Sequence, residues 1–285
     1  MIPAEFNYEV ADSVDHALSL LAGYGPDAKL LAGGHSLIPM MKLRFARPSA
    51  LVDIGRIAAL SYVEEDSDHI RIGAGTRHHD VHHSAVIEAG CPLLSFTAGL
   101  IGDPQVRHKG TIGGSVAHGD PASDLPAVLL ALDADFVLTG SGGAVRSVPA
   151  SDFFKGLFET AIGPEEMLTE IRVPKLGASS GWSYLKFSRR AQDWAIVGVA
   201  AIVERSNGGI GSARIALTNM GATPLRASSV EQALAGAERE AIPAAAATAP
   251  EGTNPPSDTN AGANYRRHLA DVLVGRALEE ALGGP

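Results

Sequence analysis

Two segments of the sequence share a design suited to holding an anion. Ala32-Gly33-Gly34-His35-Ser36 follows a predicted strand, and Thr111-Ile112-Gly113-Gly114-Ser115 repeats the pattern about eighty residues later. Paired glycines followed by a hydroxyl residue present successive backbone N–H groups with no β-carbon in the way. A diphosphate ester carries two charges and many acceptor oxygens. Two such cradles on separate lobes would grip it from both sides, with Ser36 and Ser115 adding hydroxyl donors. Either segment alone is equally a tight turn, and it is the pair that points to a phosphate-bearing cofactor. Other phosphate signatures are missing. There is no GxxxxGK[ST], and Gly73-Ala74-Gly75 has His78 where a dinucleotide fingerprint wants its third glycine, inside a predicted hairpin. Neither Ser36 nor Ser115 sits in a G-x-S-x-G elbow, so no hydrolase constellation forms and no catalytic acid or base is expected.

The run Arg77-His78-His79-Asp80-Val81-His82-His83 places His78 with His82, and His79 with His83, one helical turn apart. That spacing can chelate a metal, but no glutamate sits inside as in HExxH. At a predicted helix start these side chains are expected to face water, with no metal. Cys91 is the single cysteine. It excludes an internal disulfide and an iron–sulfur cluster held by four thiolates of this chain. Set in Gly90-Cys91-Pro92 ahead of Leu93 and Leu94, it reads as an inert, partly buried thiol.

The elements that must carry these residues fall into an α+β order. Asp12 and Ser13 cap a helix through Val14, Ala17, Leu18 and Leu21 that stops at Gly23 and Gly25. Strands follow at Lys29–Ala32 and Leu51–Ile54, with a short helical segment at Leu37–Leu43 between them. Residues 1–56 thus form a βαβ-like N-terminal lobe. Residues 57–177 read as a middle lobe with a hairpin around Glu65–Asp68, Thr76 as a helix cap, helices at Leu93–Ile101 and after Pro126, and strands at Val137–Leu138 and Leu168–Val173. Residues 178–285 read as a third lobe. Its strands are Trp182–Phe187, Ala195–Val203 and Ala213–Asn219, its helices Ser229–Ala237 and Tyr265–Leu282, and Glu251–Ala263 is expected to be a mobile loop.

The chain's 285 residues accommodate three such lobes. A formal net charge of −9 argues against nucleic acid as a partner. No apolar run reaches the roughly 20 residues of a membrane-spanning helix, and the N-terminus lacks a secretory layout, so a cytoplasmic location is expected.

The two glycine segments in full, AGGHSLIPMMKLR from Ala32 to Arg44 and TIGGSVAHGDPASDLP from Thr111 to Pro126, closely resemble the FAD-binding medium subunits of molybdenum hydroxylases, carbon monoxide dehydrogenase above all. The similarity runs from MIPAEF through the C-terminal lobe. It implies a three-lobed fold of the vanillyl-alcohol oxidase and carbon monoxide dehydrogenase flavoprotein type, with FAD held non-covalently between the first two lobes. On that resemblance Lys29, Leu30, Leu31, Ala32, Gly33, Gly34, His35, Ser36 and Leu37 line one side. Thr111, Gly113, Gly114 and Ser115 hold the pyrophosphate or its flanks, and Ala117, His118, Ser123, Asp124 and Leu125 continue the pocket. An ionised Asp124 is a pure acceptor and suits a ribityl or ribose hydroxyl. Ile101, Val106 and Leu168 supply apolar contacts, and the Lys186 ammonium stabilises a reduced, anionic ring.

Gln192-Asp193-Trp194-Ala195 resembles a family segment written Gly-Asp-aromatic, whose aromatic ring lies beside the flavin. Trp194 stands here where tyrosine is common, Gln192 replaces the glycine, and Ser115 replaces a frequent asparagine.

The resemblance further implies partners: a small iron–sulfur subunit and a large molybdenum-binding subunit, assembled as a dimer of heterotrimers. FAD would take electrons from the partner's clusters and pass them to an external acceptor such as a quinone, which would place the complex at the inner face of a membrane through its partners. Carbon monoxide is the leading substrate of such an assembly; nicotine, aldehydes and other heterocycles are alternatives. A stand-alone flavin oxidoreductase, or a scaffold subunit whose glycine turns hold nothing, are the rival readings.

Overall fold

Alternation and glycine punctuation along the chain resolve into three sheets and one small hairpin. The computed structural model describes residues 2–206 and 209–283. Met1, Gly284 and Pro285, which carry the outer bounds expected for the first and third lobes, and Asn207 and Gly208 lie outside the described residues.

The first layer runs β1 (Asn7–Val10), α1 (Val14–Tyr24), β2 (Ala28–Leu31), α2 (Leu37–Lys42) and β3 (Ala50–Asp53). Its strands pair in the order β1-β3-β2, all parallel. The Ser13 hydroxyl accepts the His16 N–H at 3.2 Å and starts α1; Gly25, at φ 78, ends it. β1 has no counterpart in the sequence reading, because Asn-Tyr-Glu-Val lies largely exposed and offers no apolar run. β3 sits between two neighbours and is correspondingly buried.

The middle layer opens with the hairpin β4 (Val63–Glu65) and β5 (His69–Gly73). It continues through α3 (His78–His83), α4 (Ala85–Gly90), α5 (Pro92–Gly99), α6 (Pro104–Arg107), α7 (Ile112–His118) and α8 (Asp124–Ala131). Next come β6 (Asp135–Gly140), β7 (Val145–Pro149), α9 (Ala150–Phe153), the hairpin β8 (Phe154–Gly156) and β9 (Glu159–Thr160), and β10 (Glu166–Pro174). The antiparallel sheet has the order β4-β5-β10-β6-β7, so its last strand in sequence is its central one. Ile70, Ile72, Leu93, Leu94, Leu129 and Phe136 are fully buried in its core. Thr76 does not cap α3 as expected. Its hydroxyl exchanges hydrogen bonds with the N–H and carbonyl of Tyr62, and Arg77 takes the cap position with no side-chain bond.

The third layer is the meander β11 (Ser180–Phe187), β12 (Val197–Ser206), β13 (Gly209–Thr218) and β14 (Leu225–Arg226), followed by α10 (Ser228–Leu234), α11 (Ile242–Ala246) and α12 (Ala263–Gly283). β12 is apolar on both faces for a reason. Val199, Ala201 and Val203 join a core with α12, while Ala200 and Ile202 join the core of the middle layer. The third sheet therefore finishes the middle lobe's core as well as its own. The 251–263 segment is irregular, as expected, and hydrogen bonds join it to the rest of the third layer. Asn254 N–H donates to Met220 O, and the Asp258 carboxylate accepts from the buried Arg266 guanidinium at 2.7 Å and from two backbone N–H groups. Among the described residues no helix is long and apolar enough to cross a membrane.

Candidate functional site

β2 delivers the first glycine segment to the carboxyl end of its parallel sheet, where ligands of open α/β sheets bind. Among the described residues, the backbone N–H groups of Gly33, Gly34, His35, Ser36 and Leu37 meet no protein acceptor. Gly34 adopts φ +72, a left-handed turn. The His35 imidazole folds back, its Nδ1–H donating to Gly33 O at 3.0 Å. Five successive donors without a protein acceptor, with Gly34 in a left-handed turn, fit the acceptor oxygens of a diphosphate ester.

A β-carbon on Gly33 would stand 2.3 Å from Lys109 O and 2.7 Å from Gly110 Cα. Glycine there lets the first lobe's cradle lie directly on the backbone that leads into Thr111. Arg77 locks the same junction by donating to Lys109 O. Beside it a cavity of about 260 Å³ opens between the layers, with Ala32, Ile54 and Gly55 on one wall and Gly75, Arg77 and Thr111 on the other.

The second segment differs from the expectation of a matching cradle. Its N–H groups are already spent: Ile112 donates to Thr76 O, Gly113 to Ala74 O, Gly114 to the Thr111 hydroxyl and Ser115 to Thr111 O. Thr111 is the N-cap of α7, and a β-carbon on Gly113 would lie 2.4 Å from Ala74 Cβ. Gly113 serves close packing of α7, and the segment offers Gly114, Ser115, Ala117 and His118 as surface rather than a run of free amides. His118 stacks obliquely on Phe158, ring centroids 4.9 Å apart, and burial lowers its pKa.

Asp124 opens α8 and is 5 % exposed. Its Oδ1 accepts from the Tyr184 hydroxyl at 2.6 Å and its Oδ2 from Lys186 Nζ at 2.8 Å. Burial lifts the Asp124 pKa, and the ammonium and phenol that hold the charged form oppose that rise. Asp124, expected to meet a ribityl or ribose hydroxyl, thus accepts from two side chains of the third layer, and Lys186, expected beside the flavin ring, is one of them. Gly198 makes room for this arrangement, since a β-carbon there would stand 2.7 Å from the Tyr184 hydroxyl.

The remaining expected residues divide by exposure. Ile101 and Val106, half-buried, flank the junction; Lys29 is exposed on the edge strand; Ser123 is buried. Leu125 and Leu168 are buried in the middle core. Asp193 pairs with Arg190 at 3.1 Å in the β11–β12 loop, and Trp194 on that loop is 57 % exposed. Direct contacts join the first segment to Lys109–Gly110, and the Pro121–Asp124 stretch to the third layer. Tyr184, Arg77 and Gly110 were missed by sequence reasoning; Gly110, next to Thr111, was the one with a local signal.

The histidine run also departs from expectation. His78 is buried, its Nδ1 without a partner, and desolvation pushes its pKa down to about 4. His79 is stacked between His108 and His83, at centroid distances of 3.9 and 4.2 Å. Rings stacked in this way do not converge their lone pairs, and among the described residues no group of three metal-ligating side chains could hold a metal.

Residues 4–176 match the family model described as the FAD binding domain in molybdopterin dehydrogenase, and residues 182–281 match the CO dehydrogenase flavoprotein C-terminal domain. The chain is 45 % identical over 283 residues to the carbon monoxide dehydrogenase medium chain of Hydrogenophaga pseudoflava, covering 99 % of this chain and 98 % of that one. It is 42 % identical to the 6-hydroxypseudooxynicotine dehydrogenase complex subunit alpha of Paenarthrobacter nicotinovorans, covering 99 % and 96 %. A solved structure of the Hydrogenophaga pseudoflava carbon monoxide dehydrogenase lacking the Mo-pyranopterin moiety superposes with a TM-score of 0.96 at 46 % identity, over 99 % of both chains.

Proposed function

Because the chain belongs to the FAD-binding medium chains of carbon monoxide dehydrogenase-type molybdenum hydroxylases, we propose that it is the flavin relay of such an assembly. A small iron–sulfur partner supplies electrons, a large molybdenum partner oxidises carbon monoxide, and an external acceptor such as a quinone takes the electrons away. The bound flavin supplies two-electron acceptance and release. The chain's own residues supply position and electrostatics.

The observation that carries the reading is the run of five unspent N–H donors at Gly33–Leu37, pressed against Lys109–Gly110 at the cleft between the first two layers. In this reading those donors bind the pyrophosphate. Thr111, Ser115, Ala117 and His118 form the facing surface, Ile101 and Val106 shield an apolar flank, and Trp194 with Asp193 approaches from the third lobe. The lobes divide at about residues 56 and 177, although β12 joins the cores of the last two.

The relatives act on different substrates by their names, carbon monoxide for one and 6-hydroxypseudooxynicotine for another, at nearly equal identity. That favours a second reading in which the same relay serves another substrate chosen by the molybdenum partner. Co-purification with the partners, followed by a visible spectrum and assay of released FAD, tests the proposal. One FAD per chain, lost on Gly34→Val, and reduced by carbon monoxide in the assembled complex, is expected. Reduction by a nitrogen heterocycle and not by carbon monoxide would select the second reading. An active complex without flavin on this chain would leave only a scaffold.

A further inference from the structure

We propose that Asn219 is a positioning residue that anchors the β11–β12 loop, and with it Trp194, to the Pro121–Asp124 stretch. Asn219 follows β13 with φ 62 and is 9 % exposed. A left-handed backbone is uncommon for a residue with a side chain, and asparagine is among the few that tolerate it. From that turn it bonds in two directions. Its backbone N–H donates to Pro121 O at 2.7 Å, and its side-chain Nδ2 donates to Ala195 O at 2.7 Å.

The second bond falls where the loop changes character. Trp194 is 57 % exposed, whereas Ala195 is 1 % and Ile196 5 % exposed. The carbonyl of Ile196 is taken by the buried Arg266 guanidinium, and Ile196 N–H closes the hairpin on Phe187 O. Asn219 is thus the donor that satisfies the buried Ala195 carbonyl, a group that is costly to leave unpaired. Aspartate at this position would set acceptor against acceptor, and glycine would keep the turn but lose the donor. Through one residue the loop bearing Trp194 is registered against the stretch whose Asp124 holds Tyr184 and Lys186.

The consequence for the cofactor rests on the reading that Trp194 faces the flavin; the anchoring does not. The chain has two tryptophans, so Trp182→Phe in the full chain leaves Trp194 as the single reporter. Asn219→Asp and Asn219→Gly are then compared by time-resolved fluorescence anisotropy. The amplitude of the sub-nanosecond component of Trp194 is expected to rise about two-fold in both variants, with circular dichroism unchanged. Both variants accept the left-handed turn, and the glycine variant decides the matter if the aspartate variant fails to fold. An unchanged amplitude overturns the anchoring.

A second readout separates the two claims. In the FAD-loaded parent, quenching of Trp194 that weakens in the variants supports the anchoring and its effect on the site. Absence of quenching in the FAD-loaded parent, together with the anisotropy response, removes Trp194 from the flavin and leaves the anchor standing.

Discussion

Lys186 and Asp124 form an ion pair with side chains 7 % and 4 % exposed, Nζ to Oδ2 at 2.8 Å, that joins β11 of the third layer to the first turn of α8 in the middle layer. Tyr184 completes it from the same strand. Removing one partner of a buried pair strands the other charge, so Lys186→Met is expected to cost about 3–5 kcal/mol, and Asp124→Asn in the same chain to recover most of that. Urea unfolding of the single and double variants measures it. A Lys186→Met chain as stable as one carrying a change at exposed Lys155 would show that the pair holds nothing.

The contact of Gly33 with Lys109–Gly110 predicts an intolerance that is positional rather than general. Gly33→Ala should destabilise by about 1–3 kcal/mol through overpacking and should lower the FAD content of the purified chain. Gly23, inside α1, has nothing within 4 Å of an added β-carbon. Gly23→Ala should instead stabilise by about 1 kcal/mol and leave FAD content unchanged.

Burial of His78 makes stability depend on pH. Its pKa falls from 6.5 to about 4 in the folded chain, with His35, Arg107 and Arg77 adding to the desolvation. Between these values the unfolded chain takes up a proton that the folded chain does not. Stability is therefore complete above pH 6.5 and declines as pH falls toward 4, by on the order of 3 kcal/mol. His78→Gln should remove that part of the slope in urea titrations at pH 7 and pH 4.5.

Cys91 is fully buried, and desolvation pushes its thiol up to about 12. At pH 8 roughly one thiol in ten thousand is ionised. A disulfide reagent should leave the folded chain unmodified over hours and label one thiol promptly in denaturant. Prompt labelling of the folded chain would place Cys91 elsewhere.

The long elements were legible because each carries a strong local period. β10, β11 and α12 fall within a few residues of where alternation and helical spacing put them, and the first glycine segment sits at a strand end as read. What could not be read depends on residues distant in sequence. β1 is too polar to announce itself and exists by pairing with β3. The second glycine segment shares with the first a glycine pair followed by a serine, yet its amides are consumed by Ala74, Thr76 and Thr111. Asp124 reads as a free acceptor until Tyr184 and Lys186, about sixty residues later, are folded onto it.

The place of β10 at the centre of the middle sheet has a consequence for synthesis. The hairpins β4–β5 and β6–β7 each leave the ribosome with one edge that only β10 can pair. Both glycine segments are thus translated well before the strand that unites the halves of the lobe carrying the second. Until residue 174 has emerged, the nascent chain exposes two open strand edges of the kind that pair with neighbours and draw chaperones. The middle sheet is therefore completed only after its central strand has emerged.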